Sequence, residues 1–174
     1  MTAAVVLAAG AASRFGAPKQ ALLLPRVLER VTAAETIDDV VVVTGAHDVE
    51  TTVRRVRCDE WERGPGASLR CGLEALTPAV EAAIVVLADG PDLSPQAIDR
   101  VVAAWRGGAG NVVAASYEGT RGHPVVLDRA VWSRIPDEGA RAFDPVLVPC
   151  DDLGPPGDVD LPADLRRQPI RDEE

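Results

Sequence analysis

Three stretches of the chain are apolar and rich in β-branched residues: Ala3 to Leu7, the valines within Asp39 to Thr44, and Ala83 to Leu87. Each ends abruptly at small or turn-forming residues, which predicts strands buried on both faces, as in a parallel sheet. Between them the apolar spacing becomes helical. Val27, Leu28 and Val31 share one face of a helix predicted over Arg26 to Ala34, and Leu69, Leu73 and Leu76 share one face of another. Ser68 is placed to cap that second helix, and Ser94-Pro95 opens a third that reaches Trp105. Asp48 is predicted to cap a helix running to about Arg55, followed by a short strand over Arg55 to Asp59. In the second half, Val112 to Ser116 and Val125 to Leu127 flank a glycine-containing turn and predict a hairpin, and Val146 to Val148 predicts a last short strand. Strands alternating with helices define an α/β protein with a mostly parallel central sheet.

The chain has 174 residues, enough for a single domain over 1–174 with a sizeable core; the polar tail at 168–174 is expected to fray. Its formal net charge of −9, from 27 acidic and 18 basic residues, opposes long-range attraction to nucleic acid or an anionic membrane. Any phosphate it binds must therefore meet a local basic site. There is no apolar run of roughly 20 residues and no basic segment leading into a long apolar core, so a cytoplasmic location is expected. Cys58, Cys71 and Cys150 are odd in number and lack paired spacing, which predicts reduced thiols rather than a disulfide framework or a zinc site.

Chemistry concentrates after the first strand, in Leu7-Ala8-Ala9-Gly10-Ala11-Ala12-Ser13-Arg14-Phe15-Gly16-Ala17-Pro18-Lys19. Ala8, Ala9 and Gly10 let backbone N–H groups approach an anion, and Arg14 and Lys19 add two cations, a combination that suits a triphosphate. Neither a Walker loop nor a three-glycine dinucleotide fingerprint is present. Asp89 follows the third strand, at the edge where ligands of open α/β sheets collect. Beside a triphosphate its carboxylate would hold Mg²⁺; otherwise it is a turn residue before Pro91. His47 reads as a loop or helix-start residue rather than a base.

Leu-Ala-Ala-Gly, three residues, Arg, one residue, Gly, two residues, Lys resembles the signature of the MobA-like nucleotidyltransferases, the family of the molybdenum-cofactor guanylyl- and cytidylyltransferases. Further segments are similar in the same order: Trp61-Glu62 through Gly66 and Ser68-Leu69-Arg70, Leu87 to Pro91 around Asp89, and Gly119-Thr120-Arg121-Gly122-His123-Pro124-Val125. Asp137 to Arg141 and Asp158-Val159-Asp160-Leu161-Pro162 complete the series. The resemblance implies a three-layer α/β/α Rossmann-like nucleotidyltransferase fold. It places Leu7, Ala8, Ala9, Gly10, Gly66 and Ser68 around the nucleotide, Asp89 and Asp160 on the metal with Asp158 as second choice, and Lys19 and Arg14 on the triphosphate. Arg121, Gly122, His123 and Arg141 would border the acceptor. His123 is equally readable as a structural histidine satisfied by turn carbonyls, and Arg70 as a solvated helix arginine. Three departures stand out: Gly90 where the cytidylyl branch has glutamine, Leu161 where the family has threonine, and a shorter passage from Lys19 to Arg26.

The implied reaction is attack by an acceptor phosphate on the α-phosphorus of a nucleoside triphosphate with release of pyrophosphate, supported by Mg²⁺. Ala9 in the place of glycine implies CTP, the implied acceptor is molybdopterin carrying molybdenum, and a molybdenum hydroxylase would receive the product. Two other readings remain open: transfer to a sugar phosphate or other small phosphate, and a non-catalytic nucleotide- or cofactor-binding maturation protein.

Overall fold

A computed structural model describes residues 1–10 and 19–157, apart from the side chains of Lys19 and Gln20. The elements in chain order are β1 (Thr2–Ala8), α1 (Lys19–Thr32), β2 (Asp39–Thr44), β3 (Arg54–Arg57), α2 (Pro65–Glu74), β4 (Ala82–Leu87), α3 (Pro95–Arg106), β5 (Val112–Tyr117), β6 (Thr120–Asp128) and β7 (Val146–Pro149). One seven-stranded sheet has the order β3-β2-β1-β4-β6-β5-β7. All its neighbours are parallel except the two pairings made by β6, which runs against β4 and β5.

Alternate residues of the central strands point to opposite faces and build two cores. On one face Ala4, Val6, Ile84 and Val86 pack with Leu24, Val27 and Val31 of α1 and Ile98, Val101 and Val102 of α3. On the other, Val5, Val41, Val43 and Val85 pack with Leu69, Leu73 and Leu76 near α2 and with Val131 and Ile135. The result is the expected three-layer α/β/α fold with a mostly parallel sheet. Gly72 lets α2 sit close to the sheet, because a Cβ there would come within 2.5 Å of Val5 Cγ1.

Four local expectations are corrected. Helix α1 begins at Lys19 rather than Arg26 and runs through Pro25, with Leu23 and Leu24 buried. No helix follows Asp48: only Val49 of His47 to Glu50 is buried, too little apolar surface for a helical stripe, and Arg55 donates to the Val49 carbonyl at 2.8 Å. Ser68 does not cap α2, which starts at Pro65 with Gly64 at the N-cap. Finally, Cys58 and Cys71 form a disulfide rather than two thiols, because α2 folds back beside the end of β3 and brings their Cα atoms to 5.8 Å. Cys150 is free and buried.

Candidate active site

The carboxyl edge of the parallel strands collects the loops that carry chemistry. Ala8 is in register with Thr44, the Ala88 amide donates to the Leu7 carbonyl at 3.1 Å, and the Ala46 amide donates to the Ala9 carbonyl at 3.2 Å. The Leu7-Ala8-Ala9-Gly10 stretch is thus held between the turns that follow β2 and β4, with Gly10 exposed. Arg14 and the side chain of Lys19 lie outside the described residues.

Asp89 occupies the turn after β4 and is half-buried; the Gly90 amide closes this turn on the Leu87 carbonyl at 3.4 Å. The strand beside it arrives from the opposite direction. Val85 pairs with Val125 and Ala82 with Asp128. The pairing ends at Val85 and Val125, and β6 is irregular beyond it, with a cis peptide bond between His123 and Pro124 and a register shift against β5 between Ala114 and Ser116. His123, two residues beyond this pairing, is close enough to Asp89 for the carboxylate to act on its imidazole.

The electrostatics agree with this placement. Burial, followed by the nearby Arg121 charge, pushes the His123 imidazole down to about 4, and the Asp89 carboxylate opposes the shift only in part. His123 is a neutral ring at pH 7. Arg121 is lowered chiefly by burial, and its two terminal nitrogens donate to the carbonyls of Phe143 and Ala140, each at 2.7 Å. It holds the segment after Ile135 against the hairpin. Arg141, on the single-turn 3-10 helix Gly139–Ala142, is exposed.

The segment of Gly66 and Ser68 reaches the same edge. The Cys58 amide donates to the Thr44 carbonyl at 2.7 Å, and a Cβ at Gly45 would come within 2.6 Å of Trp61, so residues 58–61 lie against the end of β2. Helix α2 then starts with Gly66, Ala67 and Ser68 buried. The Gly66 amide donates to the Asp137 carbonyl at 2.9 Å, and a Cβ at Gly66 would sit 1.7 Å from the Pro136 carbonyl oxygen. Only glycine permits that approach. Arg70 donates to the Ile135 carbonyl at 2.8 Å and to Asp137 Oδ1 at 2.5 Å. The hydrogen bond from Arg70, helped by the charge of Arg63, holds the Asp137 carboxyl below the ordinary carboxylate range. Arg70 is thus engaged with protein groups.

Two features escaped the sequence. The Thr44 hydroxyl, 1% exposed beside Ala8, has no hydrogen-bond partner among the described residues. The clasp of Arg70 and Asp137 joins helix and loop 67 residues apart in the chain, and no motif announces it. Its only sequence signal was the pair of charges in segments already singled out by resemblance.

Asp158 and Asp160 lie outside the described residues, but the chain leading to them is fixed. The Asp92 amide donates to the Pro156 carbonyl at 2.8 Å, and a Cβ at Gly157 would meet Asp92 Oδ2 at 2.7 Å. Arg26 also holds Asp92, at 2.9 Å. Among the described residues no three histidine, cysteine, aspartate or glutamate side chains gather as a metal site. A divalent cation such as Mg²⁺ suits the Asp89 carboxylate, which offers hard oxygen ligands.

An α/β sheet of this order, with a small-residue loop after β1 and a carboxylate after β4, defines the nucleotidyltransferase class of fold. Residues 4–143 match the family model of the MobA-like NTP transferase domain, and the chain belongs to that family. Among solved structures it is similar to Rv0371c from Mycobacterium tuberculosis H37Rv, with 26% identity and a TM-score of 0.78 over 95% of each chain. A manganese complex of Rv0371c matches at 24% identity and a TM-score of 0.71, covering 95% of this chain and 96% of that one. Molybdopterin-guanine dinucleotide biosynthesis protein A from Archaeoglobus fulgidus matches at 14% identity and a TM-score of 0.68 over 96% of each chain. Comparison with curated proteins produced no match. No described helix is long and apolar enough to cross a membrane.

Proposed function

We propose that this protein transfers CMP from CTP to a phosphate-bearing acceptor, molybdopterin carrying molybdenum, and releases pyrophosphate. The reading rests above all on Ala8 to Gly10, Asp89 and His123 lying at one sheet edge, in a chain of the MobA-like family. The choice of CTP rests on Ala9 in the Leu-Ala-Ala-Gly loop, and the choice of acceptor on the resemblance of Gly119 to Val125 to the cytidylyl branch.

In this reading the amides of Ala8 to Gly10 receive the phosphates while Lys19 and Arg14 neutralise them, Lys19 nearest the α-phosphate. An acceptor phosphate oxygen attacks the α-phosphorus in line as the bond to pyrophosphate breaks, so no covalent enzyme intermediate forms. Asp89 and Asp160 would hold Mg²⁺, which when bound supplies charge neutralisation and orients the triphosphate. That Rv0371c forms a manganese complex supports the use of a divalent ion. Gly66 and Ser68 face the nucleoside. Arg121, Gly122, His123 and Arg141 border the acceptor, where His123, being neutral, offers a hydrogen bond rather than a charge. A molybdenum hydroxylase is the proposed recipient of the product.

The test is pyrophosphate release by the purified chain with Mg²⁺ or Mn²⁺, CTP or GTP, and molybdenum-loaded molybdopterin. The expected result is turnover with CTP at least about tenfold faster than with GTP, lost in Lys19→Ala. Equal rates for Lys19→Ala and the parent overturn it. Turnover only with sugar phosphates replaces the acceptor, and CTP binding without turnover on any phosphate leaves a maturation protein.

A further inference from the structure

The Cys58–Cys71 pair encloses the segment of residues 59–70, which contains Gly66 and Ser68. Its two sulfurs differ in access. Cys58 is 1% exposed, at the end of β3, whereas Cys71 is half-buried on α2. An incoming reagent can therefore reach Cys71, and Cys58 is placed to resolve the product. The third cysteine cannot compete, because Cys150 belongs to the core on the other face of the sheet.

Both redox states are accommodated. Cys58 Sγ lies 3.5 Å from the Ala67 carbonyl, so a thiol formed on reduction has a backbone acceptor waiting. The enclosed segment also has anchors outside the bridge, in Gly66 to Asp137 and Arg70 to Ile135 and Asp137. These anchors do not depend on the bridge.

We propose that Cys58 and Cys71 are a thiol–disulfide exchange site that takes a low-molecular-weight disulfide, and that the bridge sets the order of residues 59–70. In the oxidising direction the Cys71 thiolate attacks one sulfur of the small disulfide and expels one thiolate, leaving a mixed disulfide on Cys71. The Cys58 thiolate then attacks the Cys71 sulfur and expels the second. Two protein thiols are oxidised, one external disulfide is reduced to two thiols, and the protons pass to the departing thiolates. Because the enclosed residues include those proposed to face the nucleoside, the oxidised form binds the nucleotide more tightly. That last consequence alone rests on the proposed function.

The experiment equilibrates the full chain in buffers of graded reduced and oxidised glutathione, then traps free thiols and maps the 58–71 bridge by mass spectrometry. Amide hydrogen exchange over residues 59–70 and calorimetry with CTP and Mn²⁺ are measured on each form. The expected result is a bridge that opens and closes with the buffer in folded protein, with exchange over 59–70 faster by about tenfold after reduction while β1 and β4 are unchanged. CTP affinity falls in the same form. Cys71→Ser holds the reduced behaviour in every buffer, and Cys150→Ala switches like the parent. A bridge that never forms, one that opens only on global unfolding, or equal exchange in both forms overturns the proposal. If CTP binds neither form, the nucleotide reading fails while the bridge and exchange measurements still decide this one.

Discussion

The amide of Asp92 donates to the carbonyl of Pro156, fastening the chain that leads to Asp158 and Asp160 onto the loop of Asp89. If Asp89 and Asp160 share one divalent ion, they act as a unit. Asp89→Asn and Asp160→Asn should each lower pyrophosphate release on the order of 10²-fold, and the double variant should lose little more than either single one. Rates measured at saturating Mn²⁺ check this. Multiplicative losses would mean that the two carboxylates work separately.

Gly66→Ala forces a methyl to within 1.7 Å of the Pro136 carbonyl oxygen. The first turn of α2 must shift, with an expected loss of about 1–3 kcal/mol. At roughly 2–4 °C per kcal/mol for a chain of this size, thermal unfolding will register the change. CTP affinity should fall more than stability alone explains.

The His123 imidazole is pushed down to about 4, chiefly by burial. The unfolded state, with an ordinary imidazole near 6.5, therefore takes up this proton first as the solution is acidified. The stabilisation from burying a neutral ring is complete above pH 6.5 and disappears progressively as pH falls toward 4, a change of at most about 3 kcal/mol. Urea unfolding of the parent between pH 7 and pH 4.5 should show this loss, and His123→Gln should lack that part of the pH dependence.

Arg70 and Arg121 both hold the same stretch, Ile135 to Phe143. Arg70→Met and Arg121→Met should each destabilise the chain by about 1–3 kcal/mol, because backbone carbonyls lose charged donors. Combined, they should depart from additivity by about 0.5 kcal/mol or more. Equilibrium unfolding of the two singles and the double closes the cycle.

Where burial alone decided an element, the sequence announced it. Val5, Val6 and Val41 to Val43 are enclosed on both sides of the sheet, so their runs are apolar throughout and read directly as strands. Asp89 stands out in the sequence for a related reason, as the first carboxylate after such a run. Long-range pairing left no comparable trace. That β6 lies between β4 and β5, bringing His123 beside Asp89, follows from sheet order rather than from local pattern. Gly64-Pro65-Gly66 has loop composition, yet the proline opens a helix, because Pro at the first turn gives up no helical hydrogen bond. The Cys58–Cys71 bridge depends on α2 folding back, which a spacing of 13 residues does not disclose.

The reversed direction of β6 has a bearing on how such a protein diversifies. Its turn at Glu118-Gly119 is exposed, and the flanking strands pair up to it, Tyr117 with Thr120 and Ser116 with Arg121. Changes at that tip alter the hairpin that leads to His123, while β1 and β4 are not part of the turn. Under the proposed function, one short hairpin can thus be retailored for a new acceptor without rebuilding the strands proposed to hold the triphosphate.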